Sequence, residues 1–354
     1  MVGLKWLCFI VATAVMLGGC LPGDGAPCKD TDRNCLLTVM KGHPVKSIET
    51  WRAELEKPIL NRVDVASQGL IDYMTMDNKA GGYPQRPSIP TLEADFQADF
   101  AAAFNELPPA VLKVVGNRLL GIRFVANLGG TGYSDYVYDA QGQVAGSFIL
   151  LDSSVLKSLT ANNWATWKER TPFKPEQWYT LDAQIEESSL DNRKNAISYI
   201  LLHELGHVLT SGRKIHPNNN LPMSQQAASP DKHPFFDSTW TIDVGNNTYK
   251  SKFDNNFTQR KDVVYYRVPR IAGSEMGSTY ASLEQTSFAS LYSATHPGDD
   301  FAEAFASYVH VVMMGRPWQI VLKKDGQVIK TVKSCWEETR CAEKRRILEE
   351  LLAS

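Results

Sequence analysis

The stretch from Ala196 to Ser211 constrains this chain more than any other. Ala196-Ile197-Ser198-Tyr199-Ile200-Leu201-Leu202 runs without a break into His203-Glu204-Leu205-Gly206-His207. A helix over these residues is apolar nearly all round, so it belongs in the interior rather than on a surface. Asp191 can cap its start, and Ser211-Gly212 can stop it. Burying two histidines and a glutamate on such a helix is costly unless each finds a partner. The fold therefore needs a core large enough to enclose a polar centre. With 354 residues, 43% of them hydrophobic, and 8 Trp, 14 Phe and 13 Tyr, the chain has the apolar surface to build one.

The spacing of the three polar residues points to chemistry. His203 and His207 lie four apart, which stacks their side chains on one helix face about 5 to 6 Å apart at Cβ, close enough to hold one ion. Glu204 is offset from that line, where it can take a proton from metal-bound water without occupying a coordination position. The pattern implies Zn2+ as the cofactor, which acidifies its bound water and polarises a carbonyl.

On the His203-Glu204-Leu205-Gly206-His207 motif the chain resembles the zincin metallopeptidases. The metzincin branch would need a Gly three residues and a His six residues after His207, where Thr210 and Arg213 stand. The gluzincin branch takes a glutamate from a later helix. Asp299-Asp300-Phe301-Ala302-Glu303-Ala304-Phe305-Ala306 is similar to that helix in lethal-factor-type peptidase domains. The resemblance implies an α+β zincin-like fold, with a small mixed sheet, an active-site helix and additional N-terminal helices. It implies metal ligands His203, His207 and Glu303, and Glu204 as the base of a zinc-dependent peptidase, more an endopeptidase than an exopeptidase, acting on peptide or protein.

Several alternatives stand beside these assignments. Asp300 with Glu303 also fits a capping box, in which the carboxylate only closes a helix turn. His216 is the rival third ligand or a plain loop residue. His310, seven residues after Glu303 and so about 10 Å along the helix, is a supporting or core residue. Thermolysin-like enzymes place an Asp four residues after the ligand Glu. Ser307 stands there, so the partner of the zinc histidines is unassigned. Tyr292 and His296 are candidates for stabilising an oxyanion. The strand Ala145 to Leu151 is either an edge that pairs with an extended peptide or a core strand. Gly129-Gly130-Thr131-Gly132 lacks the Gly-Lys-Ser/Thr of a phosphate loop and reads as a tight turn.

The start of the chain bears on location. Trp6 to Leu17 is apolar, follows Lys5, and is about half the length needed to cross a bilayer, as in a secretory signal. Leu17-Gly18-Gly19-Cys20 resembles the bacterial lipobox, which implies cleavage before Cys20, acylation of its sulfur and a lipid anchor at the cell envelope, in the outer membrane if the cell is Gram-negative. Cysteines 28, 35, 335 and 341 remain, an even number in an exported chain, and the short separations favour Cys28 with Cys35 and Cys335 with Cys341. A net charge of -2 with no long basic run disfavours nucleic acid as a partner.

Along the chain these readings divide into a signal peptide (1–19), a tether (20–40), an N-terminal helical layer (41–118), a catalytic region (119–316) and a C-terminal hairpin and helix (317–354). Strands are expected near 119–127, 133–139 and 144–151, the last two as a hairpin through Ala140-Gln141-Gly142-Gln143. Residues 213 to about 275 are polar and should form long loops with short strands over a cleft. Two other functions share the same metal residues. One is a zinc hydrolase of a non-peptide amide or ester at the envelope, and the other is a surface binding lipoprotein with a structural metal.

Overall fold

A four-stranded sheet of order β1-β2-β4-β3 forms the floor of the molecule. Its strands are β1 (Val63–Val65), β2 (Leu119–Val125), β3 (Gly132–Tyr138) and β4 (Val144–Asp152). The computed structural model describes residues 28–218 and 221–354. The expected signal segment, the lipobox-like stretch ending in Cys20 and the first part of the expected tether lie outside these residues.

β1, β2 and β4 are parallel, and β3 returns antiparallel to β4. The expected hairpin forms, with Gly142 at φ 74° supplying the left-handed turn residue. β2 is buried along its whole length and β4 over seven of its nine residues, as continuous apolar strands covered on both faces should be. β4 is thus an interior strand, which resolves Ala145 to Leu151 as core. The edge is β3.

Helices cover the sheet. On one side lie α1 (Arg33–Lys41), α2 (Ile48–Leu55) and α3 (Gln68–Gly81), with Trp51 stacked on Phe148 of β4 at 5.1 Å. Residues 33–40, placed by the sequence in the tether, form α1 together with Lys41, and this helix packs on α3 and is stapled by Cys28–Cys35. On the other side lie α4 (Ala94–Asn105), α5 (Pro109–Val115), the short α6 (Ser153–Leu156), α7 (Ala161–Arg170) and the long α8 (Arg193–Thr210). The apolar-all-round helix is buried as its pattern demands, with Leu201, Leu202, Leu205, Val208 and Leu209 fully covered. Its cap is Asn192, whose side chain accepts from the Asn195 amide at 3.0 Å, and not Asp191. Asp191 accepts from the Asn162 amide at 2.8 Å and so holds the start of α7.

The polar stretch after α8 contains α9 (Met223–Ala228), α10 (Pro234–Thr239) and the hairpin β6 (Trp240–Asp243) to β7 (Thr248–Ser251). β5 (Tyr179–Gln184) joins the C-terminal hairpin β8 (Gln319–Lys324) and β9 (Gln327–Lys333) in a second sheet. α11 (Met276–Leu283) leads to α12 (Pro297–Tyr308), which packs along α8, and the chain ends in α13 (Ala342–Ala353). α12 has His296 as cap and Pro297 at its first position, three residues before the Asp300 of the expected capping box. Asp300 therefore lies inside the helix, where it pairs with Lys344 of α13 at 2.6 Å and accepts from the Trp240 indole at 3.0 Å. The second disulfide, Cys335–Cys341, closes the turn before α13. Both cysteine pairs are those the spacing favoured.

Candidate metal centre

α8 and α12 cross at Gly206. A Cβ built there would sit 2.7 Å from the Cα of Ala302, so the missing side chain is what lets the two helices approach backbone to backbone. That contact brings the acidic start of α12 against the histidines of α8.

The two imidazoles face one another, with His203 Nε2 and His207 Nε2 3.2 Å apart. Asp299 completes the group. Its Oδ1 is 3.6 Å from His207 Nε2, and the ligand atoms of His203, His207 and Asp299 all lie within 4.8 Å of one another. Glu303 is placed differently. Its Oε1 lies 3.0 Å from Nδ1 of His203, the ring nitrogen that does not face His207, although the Nδ1–H is not aimed along that line. The same carboxylate accepts from Lys168 Nζ at 2.8 Å and from the Ser290 hydroxyl at 2.7 Å. The sequence assigned the third ligand to Glu303. In the structure Glu303 backs the first histidine, and the carboxylate gathered with both imidazoles is Asp299, one turn earlier. Nor is Glu303 a cap, because the helix begins at Pro297.

The electrostatics follow from burial and these neighbours. Glu303 is 1% exposed, and burial alone would raise its pKa, but Lys168 and His203 hold it well below the usual carboxylate range. Burial opposes protonation of His203, and the Glu303 charge outweighs it, so that imidazole is shifted upward. His207 is pushed well below its ordinary value by burial and then by the neighbouring histidines, which leaves it neutral. Burial pushes Glu204 up to about 7, against the opposing effects of His203 and the Ser134 hydroxyl. Its Oε2 is buried and without a hydrogen-bond partner.

Two facing imidazole nitrogens, a carboxylate beside them and an orphaned carboxylate oxygen next to the pair fit a divalent cation with nitrogen and oxygen ligands. Glu303 in turn fits the partner of a metal-binding histidine, since a carboxylate charge beside Nδ1 favours a proton there and leaves Nε2 free to ligate.

A cavity of about 320 Å³ reaches His203 of this group and is lined among others by Glu204, Glu303, Lys168, Tyr266 and Tyr292. Tyr292 is brought to the site: its ring lies 5.6 Å from that of His203 at 23°, and Lys168 Nζ sits 4.7 Å over its face. His296 is used otherwise, as the α12 cap that accepts from the Gly298 amide at 3.1 Å. His216 is bonded to the Pro217 carbonyl at 2.8 Å and is not in the metal group. His310 is buried against the carbonyls of Ile185 and Pro317 at 2.7 and 3.2 Å, as a core residue. Gly129 to Gly132 bends into the cavity wall, and a Cβ on Gly132 would lie 2.8 Å from the Glu204 carboxyl carbon. The glycine therefore makes room for the Glu204 carboxylate.

Sequence reasoning missed Lys168, because a lysine in an ordinary helical pattern carries no mark of its distant partner. Asp299 did carry one: it stands four residues before Glu303, on the same face of the helix. Tyr266 carries none in sequence, but its φ of 58° is a strained backbone for a tyrosine at a cavity wall. No family model, curated protein or solved structure matches this chain.

Proposed function

We propose that this protein is a zinc-dependent metallopeptidase of zincin type, with His203, His207 and Asp299 as metal ligands and Glu204 as general base. The observation that carries the reading is the 3.2 Å approach of the two Nε2 atoms beside Asp299, with the buried Oε2 of Glu204 left unpartnered. A zinc ion held there would acidify water and polarise the scissile carbonyl. The chain's own residues do the rest. The charge of Glu303, anchored by Lys168 and Ser290, lies beside Nδ1 of His203 and favours a proton there. Glu204 accepts the proton of the attacking water on its free oxygen and returns it to the leaving nitrogen.

A peptide substrate is supported by β3. Gly132 and Ser134 stand over Glu204, and the outer edge of β3 is unpaired from Gly132 to Val137 among the described residues. An extended chain added to that edge would lie beside the base. The signal-like start, the lipobox ending in Cys20 and two disulfides support a lipid-anchored place in the bacterial cell envelope.

The test joins metal analysis to a cleavage screen. Protein stripped and reloaded with zinc should bind one equivalent and cleave members of a mixed peptide library. Failure to retain zinc, or full occupancy with no peptide cleaved, would reject the assignment.

A further inference from the structure

The cavity beside His203 and Glu204 does not end there. A second cavity of about 900 Å³ adjoins it along β3, and Asp77 and Tyr133 belong to the walls of both. The polar groups at this junction are nearly all matched. Asp135 is ion-paired with Lys46 at 2.5 Å, accepts from the Tyr133 hydroxyl at 3.2 Å, and is bonded by the Tyr73 hydroxyl. Asp77, on α3, is the exception, with neither an ion pair nor a hydrogen bond among the described residues. Burial first, and then the charge of Asp135, push its carboxyl up to about 6. A cation arriving beside it would relieve both effects.

Strand alternation says where such a cation would come from. Gly132, Ser134 and Tyr136 face α8, the last through a 2.7 Å bond between its hydroxyl and that of Thr210. Tyr133 and Asp135 face the opposite way, toward α3. A peptide paired to the free edge of β3 would alternate likewise, sending one set of side chains toward the metal helix and the other toward Asp77.

We propose that Asp77 is a specificity-determining residue that receives a lysine or arginine side chain of an extended peptide substrate, at the junction of the two cavities. The inference rests on the peptidase reading and names the substrate class that the cleft selects. It concerns the wall opposite the metal group and assigns no part of the bond cleavage to Asp77.

The experiment uses zinc-loaded protein and a library of N-acetylated, C-amidated peptides in which each position is varied in turn. Lysine and arginine should be favoured over norleucine by about tenfold or more in kcat/KM at one fixed position from the cleaved bond. In Asp77→Asn the ratio of lysine to norleucine should fall to about one, and Asp77→Lys should turn the preference toward Asp and Glu. A measurement that needs no Asp77 variant is binding to zinc-loaded Glu204→Gln, where the lysine peptide should bind about tenfold tighter than its norleucine twin. Cleavage without a basic preference, or a preference that survives Asp77→Asn, would overturn the proposal and leave the peptidase standing. A preference seen only for peptides with a free amino terminus would reassign Asp77 to the α-amine and overturn the side-chain assignment. A protein that binds zinc and cleaves no peptide would bring down the peptidase reading itself.

Discussion

Glu303 and His203 meet through Nδ1 of the imidazole, while Nε2 of the same ring faces His207. One ring thus has two partners on two sides, and the sides carry different duties. Asp299 and Glu303, one turn apart on α12, divide between them what a single sequence motif suggests for one carboxylate: the first sits with the imidazole pair, and the second steadies it from behind.

This division predicts an ordering of metal affinities. Asp299→Ala should abolish stoichiometric zinc binding. Glu303→Gln should still bind zinc, weakened by about 10 to 100-fold, as for the loss of a carboxylate behind a metal-ligating histidine. Competition against a chelating dye measures both. If Glu303→Gln lost the ion and Asp299→Ala kept it, Glu303 would be the ligand and Asp299 the supporting carboxylate.

Glu204→Gln should keep full zinc occupancy and lose turnover by a factor on the order of 10²–10⁴, the range for removing a general base. Gly132→Ala offers an independent route to the same group, since the added methyl displaces the Glu204 carboxylate without touching a ligand. Its kcat should fall while zinc content is unchanged. Wild-type kcat in Gly132→Ala would show that the base does not need that position.

Gly206→Ala probes the helix crossing. The new Cβ collides with the backbone of Ala302, so α8 and α12 must part, at a cost of about 1–3 kcal/mol for overpacking. Urea unfolding of the metal-free protein should show that loss, and zinc affinity should fall because Asp299 moves with α12. An unchanged midpoint would mean that the two helices do not meet backbone to backbone at Gly206.

A pH effect follows from His310, which is 1% exposed and whose pKa burial lowers from 6.5 to about 4. The unfolded chain binds this proton more readily than the folded one, so the contribution is present above 6.5 and is lost as pH falls from there toward 4. At about 1.4 kcal/mol per unit the difference is about 3 kcal/mol. Unfolding free energies of wild type and His310→Gln, measured from pH 7 to pH 4, should converge by about that amount. Parallel curves would rule out His310 as the source.

Much of the architecture was legible where a local pattern has one physical outcome. The apolar run into His203 had to be interior, the Gly142 turn joined two strands as expected, and closely spaced cysteines paired with their neighbours. The caps were less legible. Asp191 and Asn192 both offer a side-chain oxygen, and only the meeting of α7 with α8 decides which helix each one serves. Residues 33–40 fell in the expected tether; a helix as short as α1 is marginal alone, and its packing on α3 decides its structure.

The same line runs through the site. Sequence by itself determined that His203 and His207 share a helix face with Glu204 beside them, because helical periodicity places residues four apart together whatever surrounds them. It also placed a carboxylate-bearing helix downstream. Only the tertiary structure decided which carboxylate turns to the imidazoles, that Lys168 holds Glu303, and that Asp77 stands unpaired across the cleft. These depend on how far α12 is rotated and slid along α8 at the Gly206 contact, and on which strand is left at the sheet edge. Such quantities are set by packing between segments distant in the chain, and no local spacing encodes them.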